Sequence, residues 1–387
     1  MSLKSQLHLF VSTILQKRKS VKQFFGLQSF VKKELQHIDA MPQSKETRQG
    51  TLVVKCDDIG DFLVWQQVIP VLKSKAKSPL YFVGNKAIKS LYETYFDFAD
   101  KVIWLDKSLW HDAAYRHELY NEISRLNVQV AFSPLFTRNF TLDDLLVLAS
   151  HAPEKPAWSV KHHTYFPDFK LLENRWTSVL QSDKPVQLEY FRNNELISKL
   201  YNASIPEQFQ VLFPNFNKHN TLVVVPVASA KSKSWKAEYF AQCINKVKPH
   251  FDRIILLGGA NTIAVASQIA EQVNDSKLIN LVDQTKLNEL FAFIGEARLL
   301  LTVDTFAAHM GPLCATDTVV IGNGTNWQRF GDYEGKIKSG FKLILPPGYK
   351  KDYAKTKVHY SSSEIQEIEV DTVVKAIEGL LKVNQPG

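Results

Sequence analysis

From residue 51 onward the chain alternates short apolar runs with amphipathic stretches. Residues 51–56, 80–83, 101–105 and 128–132 are short runs rich in β-branched and aromatic side chains, and each predicts a strand. Between them, 62–73, 87–95 and 113–126 carry apolar residues at helical spacing. Val64, Val68, Val71 and Leu72 share one face of the first of these, and Pro70 predicts a kink in it. Residues 151–220 break the pattern with His151, His162, His163 and several prolines, which predicts irregular chain and a linker near 195–220. The alternation then restarts. Strands are predicted at 221–225, 253–257, 278–281, 299–303 and 318–321, helices at 236–247, 262–273, 287–295 and 307–313, and an amphipathic helix at 370–381. Such alternation predicts parallel sheets covered by helices on both faces. Two successive units of this kind imply a cleft, with ligands beyond the carboxyl ends of the strands.

The first fifty residues follow another pattern. Leu3, Leu7, Phe10, Ile14, Val21, Phe24, Val31 and Leu35 form a 4-3-4-3 ladder broken at Lys17 and Gln28, which predicts a basic amphipathic helix. Lys17-Arg18-Lys19 directly after the first apolar run, with no small-x-small cleavage site, argues against a secretory signal. Two readings stay open: a helix lying in the headgroup region of an anionic leaflet, or one packed on the protein's own body or on another copy. Residues 41–50 read as a polar linker.

Composition narrows the classes. A chain of 387 residues exceeds what one core usually serves, so two domains are expected. Three scattered cysteines, Cys56, Cys243 and Cys314, fit neither a disulfide framework nor a cysteine-rich zinc site and point to a reducing compartment. No stretch approaches a membrane-spanning length of apolar residues. The net charge of +8 is local: 1–50 and 335–360 each carry +6, leaving −4 for the rest. That distribution favours two local contacts with anions over a nucleic-acid-binding surface.

Four loops at predicted strand ends carry the candidate chemistry. Asp57-Asp58-Ile59-Gly60-Asp61 joins a strand to a helix; its carboxylates read either as helix caps or as a general base facing the cleft. The loop 226–235, with Ala228, Ser229, Lys231, Ser232, Lys233 and Ser234, reads as an anion site or as a solvated basic turn. Gly258-Gly259 lets backbone approach a base or ribose, or simply makes a tight turn. Asp304-Thr305 caps a helix, and His309 follows on the same face; a lone histidine there is structural more often than catalytic. No G-x-G-x-x-G occurs, and no cluster has metal-ligand spacing, so no bound divalent ion is expected.

In this order the four loops resemble glycosyltransferase family 9, the lipopolysaccharide heptosyltransferases, over roughly 51–383. Gly60-Asp61 matches the family's Gly-Asp turn, Lys233-Ser234-Trp235 its Lys-x-Trp, and Asp304 through His309 its Asp-Ser/Thr-Gly-x-x-His. Gly322-Asn323-Gly324-Thr325 and Arg329 are similar to its later turn. The sequence departs from the family at Phe306, usually Gly; at Thr262, often Glu; at Gly311-Pro312; and at Asp57-Asp58, usually small residues.

The resemblance implies an α/β protein of GT-B architecture: two Rossmann-like domains facing a central cleft, with the N-terminal amphipathic helical extension added. The expected divisions are 1–50 for the extension and linker, 51–200 for the acceptor side, 201–360 for the donor side, and 361–387 for a final helix that packs back on the N-terminal domain. Asp61 would be the catalytic base. Gly60, Ala228, Ser229, Lys233, Gly259, Asp304, Thr305 and His309 would bind the donor. No cofactor and no metal are expected; the donor would be ADP-heptose or another nucleotide sugar. The implied activity is inverting, metal-independent transfer of a sugar, heptose first, to a lipopolysaccharide core or related lipid-linked or phosphorylated glycan. It would occur on the cytoplasmic side, peripheral to the inner membrane through residues 1–40. A non-catalytic nucleotide-sugar or glycan-binding protein that keeps the fold is the alternative, motivated by Phe306 and Thr262. A sugar epimerase or dehydrogenase is a third reading, opposed by the missing glycine fingerprint.

Overall fold

The computed structural model describes residues 24–43, 46–162, 169–184, 186–206, 208–331, 333–337, 339–350 and 364–383. The lower half of the N-terminal ladder (Leu3 to Val21) and part of the second basic patch (351–360) lie outside them.

A first helix, α1 (24–40), leads into β1 (Thr51–Lys55), β2 (Leu80–Asn85), β3 (Lys101–Leu105) and β4 (Val130–Phe132). These form a parallel four-stranded sheet in the order β3-β2-β1-β4. After a small pair, β5 (Pro156–Trp158) and β6 (Ser178–Leu180), six strands build a second parallel sheet: β7 (His219–Val225), β8 (Arg253–Leu256), β9 (Leu278–Asn280), β10 (Ala297–Val303), β11 (Asp317–Ile321) and β12 (Phe341–Ile344). Its order is β12-β11-β10-β7-β8-β9. Both sheets therefore reverse direction beside their first strand, between β1 and β4 and between β7 and β10. Open α/β sheets bind ligands beyond such a switch point.

Helices fill the crossovers: α2 (Ile59–Trp65), α3 (Ile69–Lys75), α4 (Lys89–Leu91), α5 (Ala113–Ser124), α6 (Asp143–Ala149) and α7 (Glu189–Tyr201) in the first half. The second half has α8 (Ala237–Val247), α9 (Ile263–Val273), α10 (Leu287–Glu296), α11 (Ala307–Leu313) and α12 (Trp327–Phe330). The kink predicted at Pro70 is a full break: a 3-10 turn at Gln66–Val68 separates α2 from α3, and Pro70 sits in the first turn of α3, where its missing N–H costs nothing. The stretch read as irregular contains α7, whose inward face is polar. The lysine-rich stretch after 335 contains β12, an edge strand.

Three buried clusters hold the molecule together. The outer face of each sheet has its own, and one shared cluster joins the two inner faces. Tyr95 and Phe96 from the first half interlock there with Phe213, Phe216 and Phe291 from the second, with ring centroids 4.8–6.2 Å apart. Gln67 pins the connecting chain: its Nε2 donates to Gln210 O at 2.9 Å and its Oε1 accepts from Gln210 N at 2.8 Å. The cleft above this contact thus has walls set by packing.

One expectation is corrected, and one of two open readings is supported for residues 24–40. The C-terminal helix (Val370–Val383) packs on the donor-side half, not on the N-terminal one. Val373 and Ile377 are fully buried against α8 and the outer face of the second sheet, because the helix is amphipathic and the nearest uncovered apolar surface is there. Within α1, the ladder faces the protein. Val31, Leu35 and Ile38 are buried with Leu119, Tyr120 and Ile123 of α5, so residues 24–40 are a packed helix rather than one lying in a headgroup layer.

Glu34 adds a polar anchor to that docking. Its carboxylate takes a two-pronged pair from Arg116, at 2.9 Å for both oxygens, and the Tyr120 hydroxyl at 3.0 Å. Burial alone would raise the Glu34 carboxyl, but the Arg116 and Tyr120 hydrogen bonds win and hold it below its usual range. Glu34→Ala leaves Arg116 buried without its partner, so we expect a loss of about 3–5 kcal/mol, measured by urea unfolding at pH 7. Because the pair needs the ionised carboxylate, the wild-type advantage should shrink as pH falls below the carboxylate range.

Candidate active site

Four strand ends meet at one cavity of about 710 Å³ between the two halves. Gly60 and Asp61 reach it from the turn after β1. Ala228, Ser229 and Lys233 come from the loop after β7, Gly259 from the turn after β8, and Asp304, Thr305 and His309 from the end of β10 and the start of α11. Asp61 and the eight residues expected to bind the donor all line this cavity, whereas Asp57, Lys231, Ser232 and Ser234 of the same loops do not. Thr262 and Phe306, the two departures noted above, line it as well.

Asp61 stands in the first turn of α2, on the first-sheet wall. Among the described residues no cation lies within ion-pair distance of it. Burial pushes its carboxyl up to about 7; the Asp57 and Glu189 charges add to the rise, while Lys55 and Arg329 oppose it. A carboxylate poised there is half ionised near neutral pH, the condition a general base needs.

On the facing wall, Lys233 Nζ lies 2.7 Å from Asp304 Oδ2, both partly exposed to the cavity. The loop that carries Lys233 is tied down from β11: Asn323 Nδ2 donates to Ser232 O at 3.0 Å. His309 is buried, with its Nδ1 3.3 Å from the Tyr333 hydroxyl. Burial, helped by Lys233 and opposed by Asp304, lowers its ring to about 4, so it is neutral at physiological pH and can donate or accept one hydrogen bond at each nitrogen.

The halves touch at Gly60. A Cβ there would come within 3.0 Å of His309 Cδ2 and 3.6 Å of the Phe306 Cα. Glycine is required because α2 and α11 meet backbone to side chain, and this contact fixes the distance from Asp61 to the β10 loop. Gly60→Val should wedge the walls apart and lower transfer by about 10²-fold, the usual effect of a misplaced reacting group, with little change in nucleotide affinity. Parallel transfer assays and calorimetric titration with nucleotide check this; an unaltered rate removes Gly60 from the alignment.

Lys55, Asp143 and Glu189, and the pairings they make, were not picked out by the sequence. Lys55 and Asp57 form a buried pair at 2.6 Å beneath Asp61. Asp143, from α6, accepts the Cys56 N–H at 2.9 Å and is pushed up by burial to about 7. Glu189 of α7 pairs with Arg329 of α12 at 2.6 Å, linking the two halves beside the cavity. A lysine ending an apolar strand just before two aspartates was a readable hint of the first pair. Glu189 and Arg329 lie 140 positions apart, and nothing local announces their meeting.

Two doubly wound parallel sheets facing across a switch-point cleft, with a carboxylate on one wall and a cation on the other, make a GT-B fold. The family model of glycosyltransferase family 9 (heptosyltransferase) matches residues 157–339. Its fold is similar to that of a glycosyl transferase family 9 protein from Veillonella parvula, at 18% identity and a TM-score of 0.67, covering 88% of this chain and 99% of the other. It is likewise similar to E. coli ADP-heptose lps heptosyltransferase II (15%, TM-score 0.64, 87% and 99% covered). E. coli heptosyltransferase WaaC, solved with ADP, gives 16% identity and a TM-score of 0.65, with 85% and 99% covered. A comparison with curated proteins returned no match.

Proposed function

We propose that this chain is an inverting, metal-independent glycosyltransferase that moves a sugar, heptose first among candidates, from a nucleotide sugar to a lipopolysaccharide-core or related glycan. The observation that carries this is the placement of Asp61 opposite the Lys233–Asp304 pair across one cavity. In this reading the donor sits against the second-sheet wall. Its diphosphate is met by Lys233 and the Ala228–Ser229 backbone, and its nucleoside lies over Gly259. Asp304, Thr305 and the neutral His309 bound the sugar end. The acceptor enters along the first-sheet wall.

One displacement completes the reaction. The acceptor oxygen forms a bond to the anomeric carbon as the bond from that carbon to the diphosphate breaks. The acceptor proton passes to Asp61, and the electron pair leaves with the nucleoside diphosphate, whose charge Lys233 stabilises. Attack opposite the leaving group inverts the anomeric centre. No cofactor enters this reading, and the place of work would be the cytoplasmic side of the inner membrane.

E. coli heptosyltransferase WaaC was solved with ADP and with ADP-2-deoxy-2-fluoro heptose, which makes ADP-heptose the first donor to test. A thermal-shift and mass-spectrometric screen against nucleotide sugars, followed by turnover with lipopolysaccharide-core acceptors, tests the proposal. Donor turnover with an inverted product supports it. Tight donor binding with no turnover across an acceptor panel favours instead a binding protein that keeps the fold, for which Phe306 in the cavity wall is the observation.

A further inference from the structure

Charge pairing around the cavity occupies the nearby cations. Lys55, at the end of β1, is 3% exposed and holds Asp57 at 2.6 Å. Arg329, from α12, holds Glu189 of α7 at 2.6 Å. Lys107 reaches the Asp57 carbonyl at 3.2 Å and Asp58 at 3.4 Å. His309, pressed against Gly60 from α11, is neutral. Among the described residues, Asp61 and Asp143, which accepts the Cys56 N–H at 2.9 Å, remain without a paired cation.

We propose that Asp57 is a positioning residue for the reaction: by binding the Lys55 ammonium it prevents that cation from pairing with Asp61, and so keeps Asp61 a proton acceptor. This rests on the reading of Asp61 as the base.

The turn is built to hold Asp57 in that role. Asn85 Nδ2 donates to the Asp57 carbonyl at 3.1 Å, fixing the backbone from β2. One carboxylate oxygen of Asp57 takes Lys55; the other is buried and, among the described residues, makes no hydrogen bond. Asp57 is therefore oriented by Lys55 alone, and Lys55 by Asp57. A buried ammonium released from Asp57 would turn to the nearest remaining carboxylates, and it already acts electrostatically on both Asp61 and Glu189. An ion pair with Lys55 would favour ionised Asp61 and weaken it as a base.

The test is a direct titration of Asp61 in the full chain, labelled with carbon-13 at aspartate side-chain carboxyls, with Asp61→Asn used to assign its signal. In the wild type we expect a midpoint near neutrality. In Asp57→Asn the midpoint should fall by about one pH unit or more, as expected beside a newly unpaired cation. In the double variant Lys55→Met with Asp57→Asn it should return close to the wild-type value. A midpoint that stays put in a folded Asp57→Asn overturns the proposal. If that variant does not fold, Lys55→Met decides: the Asp61 midpoint should rise, and an unchanged or lower one overturns the proposal. A base role for Asp61 stands or falls separately, since it is judged by whether Asp61→Asn still transfers sugar.

Discussion

Asp61→Asn should lower sugar transfer by on the order of 10²–10⁴-fold, the span set by loss of a positioned proton acceptor, while nucleotide binding survives. It should also make the protein more resistant to heat at pH 8. Both effects have one cause. Burial, reinforced by Asp57, lifts the Asp61 carboxyl from an ordinary 3.8 to about 7. For an acid whose folded-state value is raised, the stabilising contribution is complete below the unfolded value and is lost as pH rises through the folded one. Ionised Asp61 is therefore a cost to the fold at pH 8 that the amide does not carry. At pH 4 and below the thermal advantage should vanish. In the wild type, transfer should climb with pH along a limb centred near 7. Melting curves at pH 4 and pH 8, with transfer assays between, test the whole chain of reasoning. Undiminished transfer in Asp61→Asn would remove it as the base, and equal melting at pH 8 would remove the burial cost.

The second large effect is expected at Lys233. If Lys233 meets the departing diphosphate as proposed, Lys233→Ala should lower turnover by about 10²–10³-fold, as when one preorganised electrostatic contact is deleted. It also leaves Asp304 facing the diphosphate with no counter-charge at 2.7 Å. Affinity for nucleoside diphosphate should therefore weaken more than affinity for the nucleoside alone. Calorimetric titration with both ligands separates the two. Equal loss for both would mean that the loop had moved, and no loss for either would place the diphosphate elsewhere. Lys233→Ala with Asp304→Asn should recover part of the nucleoside diphosphate affinity, because the uncompensated negative charge goes too.

Much of this site was legible because it sits at strand ends. A strand that ends in Gly60-Asp61 or Asp304-Thr305 delivers those residues to the carboxyl edge of a parallel sheet, whatever the rest of the chain does. What stayed hidden depends on the third dimension. The helix α7 was read as irregular because its buried face carries Glu189, Arg192, Asn193 and Asn194, polar residues that hydrophobic periodicity assigns to solvent. They point inward because Glu189 has Arg329 to meet and Arg192 lies over the Phe136 ring, 3.5 Å from its centre. The strand β12 was lost among lysines, since an edge strand needs few apolar positions. The final helix was recognised, but amphipathicity says only that one face is covered and not by what. For α1, two coverings were weighed, and Glu34 was the overlooked clue: an acid in the basic ladder pairs with a buried arginine of the body.

The Lys233–Asp304 pair bears on what the cavity refuses. A lysine that already grips a carboxylate is a poor trap for stray anions. An arriving phosphate has to displace a rival tethered to the same wall, and a tether of this kind acts like a millimolar or higher local concentration. Orthophosphate, with nothing else to offer, loses that contest. On the proposed reading, a nucleotide that also anchors its base beyond Gly259 would win it, leaving the Asp304 carboxylate without its lysine. The pair would then act as a lock whose resident occupant yields only to a ligand that brings a second point of attachment.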